Sequence, residues 1–183
     1  LSNHELTYEN SGKEYRIKFN HCIQKQANHL LSEIKNSNNF ENKIIGCAAI
    51  ILTGLAYQNN KNYLSNGLNL LKKIIKSSID NQGFPNSRNI KQVSFYLKYF
   101  IVIREWFKES QNTVPEYIDE TIYYLGLSYA FIWQNINHDI LFNGNYISNN
   151  NEFDQYLKRF GYTFKNENKE VAGYAILRNK KII

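Results

Sequence analysis

Between about residue 18 and residue 134, apolar residues return three or four positions apart, the spacing of one face of a helix, in five successive blocks. The first stripe is Cys22, Ile23, Ala27, Leu30, Leu31 and Ile34. The second, Ile44 through Tyr57, is apolar on nearly every side, which predicts a helix buried all round. Leu64, Leu68, Leu71 and Ile75 mark the third, with Lys61, Lys72, Lys73 and Lys76 turned towards solvent. In the fourth block Val93, Tyr96, Leu97, Phe100 and Phe107 form one stripe, and Phe95, Tyr99, Val102 and Trp106 form another, so that helix is expected to pack on two sides. The fifth follows Asn112 and Thr113, which can cap, and has Pro115 close to its first turn. It continues through Tyr117, Ile118, Ile122, Leu125, Tyr129 and Ile132.

Short links such as Asn36–Asn39 and Gln58–Asn60 join the blocks, whose centres lie roughly 25 residues apart. Antiparallel helix pairs of this length suggest an α-solenoid or an α/α-toroid, although the blocks are not self-similar enough for a named repeat. After Asn135 the pattern breaks. His138–Tyr146 reads as a loop containing the tight-turn signal Asn143-Gly144, and Glu152–Phe160 as one short helix. From Tyr162 the pattern turns to β: Tyr162, Phe164, Val171, Tyr174, Ile176, Leu177 and Ile182, broken by Gly173 and an Asn179–Lys181 turn. The expected division is a helical domain over 1–160 and the first strands of a β domain over 161–183, cut off at the chain end. By itself such a piece should expose two raw hydrophobic surfaces and tend to aggregate.

Composition narrows this picture. Hydrophobic residues at 43% and charged residues at 21% describe a globular chain, and 183 residues suffice for one core and the start of a second. The 14 Tyr and 11 Phe suit layered helices or a groove for sugar rings. A net charge of +6 favours an anionic partner. Its lysines occur in runs no longer than two (Lys72–Lys73, Lys180–Lys181), without the clustering of a nucleic-acid footprint, so nucleic acid is not the expected partner. The longest uncharged apolar stretch, Ile44–Tyr57, is too short to span a bilayer. Cys22 and Cys47 are isolated among apolar residues and read as buried free thiols. His21 and His29 lie eight apart without a carboxylate between them, which is not metal-ligand spacing, and no segment calls for a cofactor.

Three segments carry a resemblance. Asp80-Asn81-Gln82-Gly83-Phe84-Pro85-Asn86-Ser87-Arg88-Asn89, followed by a long apolar helix, resembles the "Asp-Gly-Gly-His-x-Ser-Arg-Asn-Pro" segment of the heparinase II/III-like polysaccharide lyases. Leu141-Phe142-Asn143-Gly144 is similar to the family's "Leu-Phe-Asn-Gly", and Gly173-Tyr174 to the "Gly-Tyr" that opens its β-sandwich. The three stand in the family's order and spacing, and the likeness extends over residues 18 to 183. It implies a mainly α chain that joins the late helices of an α/α-toroid to the first strands of a β-sandwich. The family's His falls on Phe84, its Pro on Ile90, and its Gly pair is reduced to Gln82-Gly83, leaving Asp80 or Asn81 to match the Asp. Since a His or Asn here helps neutralise the substrate carboxylate in related lyases, Phe84 puts that role in question.

The resemblance implies β-elimination on a uronate-containing acidic polysaccharide, in the periplasm or outside the cell. Such a site removes the proton at C5 beside the sugar carboxylate and expels the 4-O-linked chain. It must stabilise charge developing on the carboxylate and supply a general base and an acid. Arg88 and Asn89 are the candidates for the carboxylate, since an Arg can fork onto it and an Asn can donate to it. The structural alternative is that Ser87 or Asn89 caps the fourth helix while Arg88 packs or pairs locally. Tyr146 is the candidate base, and Asn143 and Phe84 the candidate substrate contacts. His138 beside Asp139 is either an acid–base pair or a solvated loop histidine. The remainder of the toroid and sandwich, with one catalytic His, is expected outside this segment, leaving the piece inactive alone. A non-catalytic glycan-binding or scaffold module that has lost its site is the second reading. A helical-repeat binder of protein or nucleic acid is the third.

Overall fold

The structure is a computed structural model that describes residues 11–57, 61–133, 140–142, 145–147 and 151–175, with backbone alone at 61, 140–142 and 145–147. Among the described residues it is mainly helical. In chain order the elements are α1 (Lys13–Glu33), α2 (Phe40–Ala56), α3 (Lys61–Ser78), α4 (Lys91–Glu109), α5 (Glu116–Trp133), β1 (Ile140–Phe142), β2 (Asn145–Ile147), α6 (Asn151–Arg159), β3 (Glu170–Val171) and β4 (Tyr174–Ala175). The five helical blocks of the sequence are thus five helices. The chain divides into two compact units, Leu1–Leu68 and Asn69–Ile183, with the division falling inside α3.

In the first unit, α2 starts where Asn39 accepts from the backbone N–H groups of Glu41 (2.8 Å) and Asn42 (3.3 Å), satisfying two donors that the helix leaves unpaired. Ile44, Cys47, Ile50 and Ile51 are fully buried. Ile45, however, is 40% exposed and Ala49 is exposed, so α2 is not buried all round as its sequence predicts; one stripe faces out. On α1, Ala27 and Ile34 are buried but Cys22 is exposed, which corrects its reading as a buried thiol. Two tyrosine hydroxyls tie α1 down: Tyr57 donates to Asn20 Oδ1 (3.0 Å) and Tyr63 to Asn28 Oδ1 (2.8 Å). Tyr63 and Gly67, not the predicted Leu64 and Leu68, are the buried positions at this end of α3, because Gly67 lets the helix approach Ile50 and Ile51 closely.

The core of the second unit is the α4–α5 hairpin. Val93, Leu97, Phe100, Ile101 and Ile103 of α4 and Ile118 and Leu125 of α5 have no exposed surface, and each stabilises the fold by about 1.5–3 kcal/mol. The second stripe of α4 (Phe95, Tyr99, Val102 and Trp106) is only half-buried, so its second side is partly covered. Gln111, with a φ of +56°, ends α4: its N–H reaches Lys108 O (3.0 Å) and the next N–H, of Asn112, reaches Phe107 O (2.9 Å). The Asn112 side chain bonds back to Ser110 (3.0 Å), so it closes α4 instead of capping α5. α5 then begins one residue after Pro115.

Within the expected 138–146 loop the described residues form strands, β1 pairing antiparallel with β2 in the register Leu141↔Tyr146 and Phe142↔Asn145. The short helix foreseen over 152–160 is α6, held to α5 by Tyr129 donating to Asp154 Oδ1 (2.6 Å) and by the Tyr129–Phe153 ring contact. From Tyr162 the described residues of the expected β-rich segment hold the β3–β4 hairpin, which turns through Ala172 and Gly173 at φ of +53° and +79°, while Ile176, Leu177, Ile182 and the Asn179–Lys181 turn lie outside the described residues. The stretch from Tyr162 to β3 is anchored by side chains instead of a ladder. Phe164 covers Gly126, where any Cβ would overlap its ring, and Asn166 Nδ2 donates to Leu127 O (2.9 Å). Tyr162 accepts from Arg104 (3.1 Å) and donates to Glu105 (3.2 Å), while Arg104 also holds Asp119 (2.5 Å). Burial pushes Tyr162 and Tyr156 up to about 12, against the partial opposition of Arg104 at Tyr162.

Candidate functional site

The Asp80–Asn89 segment links α3 to α4 and is organised by a carboxylate. Asp80 Oδ1 accepts from the backbone N–H groups of Gln82 and Phe84, both at 2.9 Å, and Oδ2 takes Arg88 Nη1 at 2.5 Å. The backbone doubles this hold, with Asp80 N–H donating to Phe84 O (2.8 Å) and Asn86 N–H to Ser78 O (2.8 Å). Of the two residues able to match the motif's Asp, Asp80 therefore shapes the loop. Gly83 sits at a φ of +75° directly on the Tyr124 backbone of α5, a position closed to any side chain. Ser128 of α5, fully buried, donates to Gln82 O (3.0 Å) and fixes the loop from below.

Arg88 has a φ of +59°, uncommon outside glycine, and lies with its guanidinium carbon 5.9 Å from the centre of the Phe84 ring. It pairs locally with Asp80, as the structural alternative supposed, although its side chain stays 42% exposed. Asn89 Oδ1 accepts from Lys91 N–H (3.0 Å) at the start of α4, and Ser87 donates to Gln92 Oε1 (2.6 Å). Asn89 thus does the work of a cap. Phe84 has no exposed surface, so its ring packs inside the loop and does not meet a ligand at the surface.

The loop also meets the β3–β4 turn. Tyr174 donates to Arg88 O (3.3 Å), its ring lies 5.5 Å from that of Phe84, and Ala172 N–H donates to Gln82 Oε1. Two of the three segments singled out in the sequence, about ninety positions apart, are therefore in direct contact. The third is placed only as backbone: Tyr146 lies in β2 opposite Leu141 without a described side chain, and Asn143, His138 and Asp139 fall outside the described residues.

On its other side the loop closes one end of a groove of about 530 Å³. Lys72, Ile75 and Lys76 of α3 with Ile79 just past its end form one wall, and Tyr117, Glu120, Thr121 and Tyr124 of α5 the other. Each set has the spacing i, i+3, i+4, i+7, a single helix face. Asp80, Asn81 and Gly83 form the end. Lys72 Nζ lies 5.5 Å from the centre of the Tyr117 ring, and Tyr124 is 39% exposed. In the sequence the lysines read as a solvated face and Tyr117 as core; the walls become visible only when the two faces are set opposite each other.

Among the described residues no cluster of His, Cys, Asp and Glu could hold a metal ion, and no helix is long and apolar enough to cross a membrane. No family model, curated protein or solved structure matches the chain.

Proposed function

We propose that this chain is a piece of a heparinase II/III-like polysaccharide lyase, joining late helices of an α/α-toroid to the first strands of a β-sandwich, and acting on uronate-containing polysaccharide by β-elimination. The observation that carries the reading is the contact between the Asp80–Asn89 loop and the Gly173–Tyr174 turn. A site in the cleft between the two domains of such an enzyme needs these segments together. On this reading Asp80 presents Arg88, whose Nη1 it holds while other donors of the guanidinium fork are left to meet a sugar carboxylate. Asn89 and Tyr146 complete the proposed machinery, the latter as base, with Asn143 as a substrate contact. The working place is the periplasm or the cell exterior.

A second reading, a glycan-binding module without catalysis, is favoured by one observation: the position of the family's His is filled by the buried Phe84, which offers no polar group. The test incubates the complete protein with a panel of uronate polysaccharides and follows the ultraviolet absorbance of the conjugated 4,5-unsaturated uronate that each elimination leaves. A rise that Arg88→Ala abolishes is the expected result. A flat trace with binding retained would replace the lyase by the binding module.

A further inference from the structure

We propose that the groove between α3 and α5 is a binding subsite for the anionic sugar residues of the polysaccharide, distinct from the Arg88–Asn89 face of the loop. Its walls are two helix faces of different chemistry. Lys72 and Lys76, one turn or about 6 Å apart along α3, set two compact positive charges on the same rim. Across from them Tyr124, 39% exposed, offers aromatic surface to the C–H face of a pyranose, while Tyr117, two turns or about 10 Å away, carries Lys72 Nζ over its ring.

The charge balance selects the ligand. Asp80 also lines the groove, but its carboxylate is engaged by Arg88 and by two backbone N–H groups. Glu120 is then the remaining carboxylate facing the two lysines, and the groove is net positive. A ligand of uniform negative charge, such as a nucleic-acid backbone, would meet repulsion at Glu120. A sugar acid carries both a carboxylate for the lysines and hydroxyl donors for Glu120 and Asn81. The volume of about 530 Å³ lies within the range of roughly 300–1,000 Å³ usual for small-ligand sites.

This assignment rests on the acidic-polysaccharide reading, and calorimetric titration of the protein with a short oligogalacturonate separates the two. A neutral cello-oligosaccharide of equal length serves as the comparison. The expected result is binding of the oligogalacturonate that Lys72→Ala/Lys76→Ala weakens by about tenfold or more, with a shallower salt dependence. Lys73→Ala, a change on the same helix outside the groove, should stay within about twofold. Because Lys72 and Lys76 are exposed, their removal leaves the fold intact, which circular dichroism checks. Wild-type binding that the double variant retains in full overturns the groove and leaves the polysaccharide reading standing. A wild-type protein that ignores the oligogalacturonate, or takes the neutral sugar equally well, overturns both.

Discussion

Asp80→Ala removes the acceptor around which the α3–α4 link is folded, and its cost follows from the three bonds lost. The Phe84 N–H is part-buried and loses a charge-assisted bond, about 1.5–3 kcal/mol. The Gln82 N–H is exposed, so water replaces most of its bond and the loss is about 0.5–1 kcal/mol. The pair with Arg88 is 42% and 21% exposed on its two sides and contributes about 0–1 kcal/mol. Together these give about 2–5 kcal/mol, or a fall in melting temperature of roughly 4–20 °C for a chain of this size. Arg88→Ala forfeits the ion pair and the contact with the Phe84 ring, about 0.5–2 kcal/mol together, and should lower the melting temperature by roughly 1–8 °C. Thermal unfolding followed by circular dichroism supplies both numbers, and amide exchange should show the Phe84 N–H losing protection in Asp80→Ala alone. If Arg88→Ala costs as much as Asp80→Ala, the loop is held by its ion pair and the argument from the backbone acceptor is wrong.

Other consequences are simpler to state. Native protein treated with an aromatic disulfide reagent near neutral pH should react quickly at exposed Cys22. Cys47 should react only on unfolding, since burial pushes its thiol from 9.0 up to about 12. Cys47, Tyr156 and Tyr162 all keep their protons in the fold up to about 12, whereas the unfolded chain releases them from about 9 to 10. The unfolded state then binds fewer protons, so these three groups leave stability unchanged below about pH 9 and lower it as pH climbs towards 12; denaturation midpoints independent of pH between about 9 and 12 would contradict this. Gln111→Gly should raise stability by about 0.5–1 kcal/mol, because the left-handed backbone that ends α4 suits glycine, and a denaturant titration would register the gain.

The helices were legible because their information is local. Each block declares its own period, and observed helices coincide with all five blocks. What failed required knowledge of a neighbour. Cys22 lies beside the stripe it was grouped with, one helical step of about 100° out of the interface. The apolar run 44–57 could not reveal that Ile45 and Ala49 face outward, since nothing in its pattern distinguishes its sides. After residue 160 the aromatic alternation that suggests strands is used differently. Phe164 fills the space over Gly126 and Tyr162 joins the Arg104–Glu105 cluster, so side-chain anchorage takes the place of a backbone ladder.

The candidate site divides along the same line. The 80–89 segment stood out in the sequence through its resemblance to a motif of the heparinase II/III-like lyases. The sequence could not assign the roles inside it. Asp80, valued only as one of two possible matches to a motif, proves to organise the loop, while Arg88 is the residue it holds and Phe84 the residue it buries. The groove was illegible for a geometric reason. Lys72–Lys76 and Tyr117–Tyr124 are each a plain helix face, and the rotation that sets one against the other is fixed by Gly83 on the Tyr124 backbone and by Ser128 on Gln82. Those two contacts tie the end of the groove to the loop, so a change at either position would move both together. Gly83→Ala is therefore the variant that should disturb oligogalacturonate binding and loop stability at once, where Lys72→Ala/Lys76→Ala touches only the former.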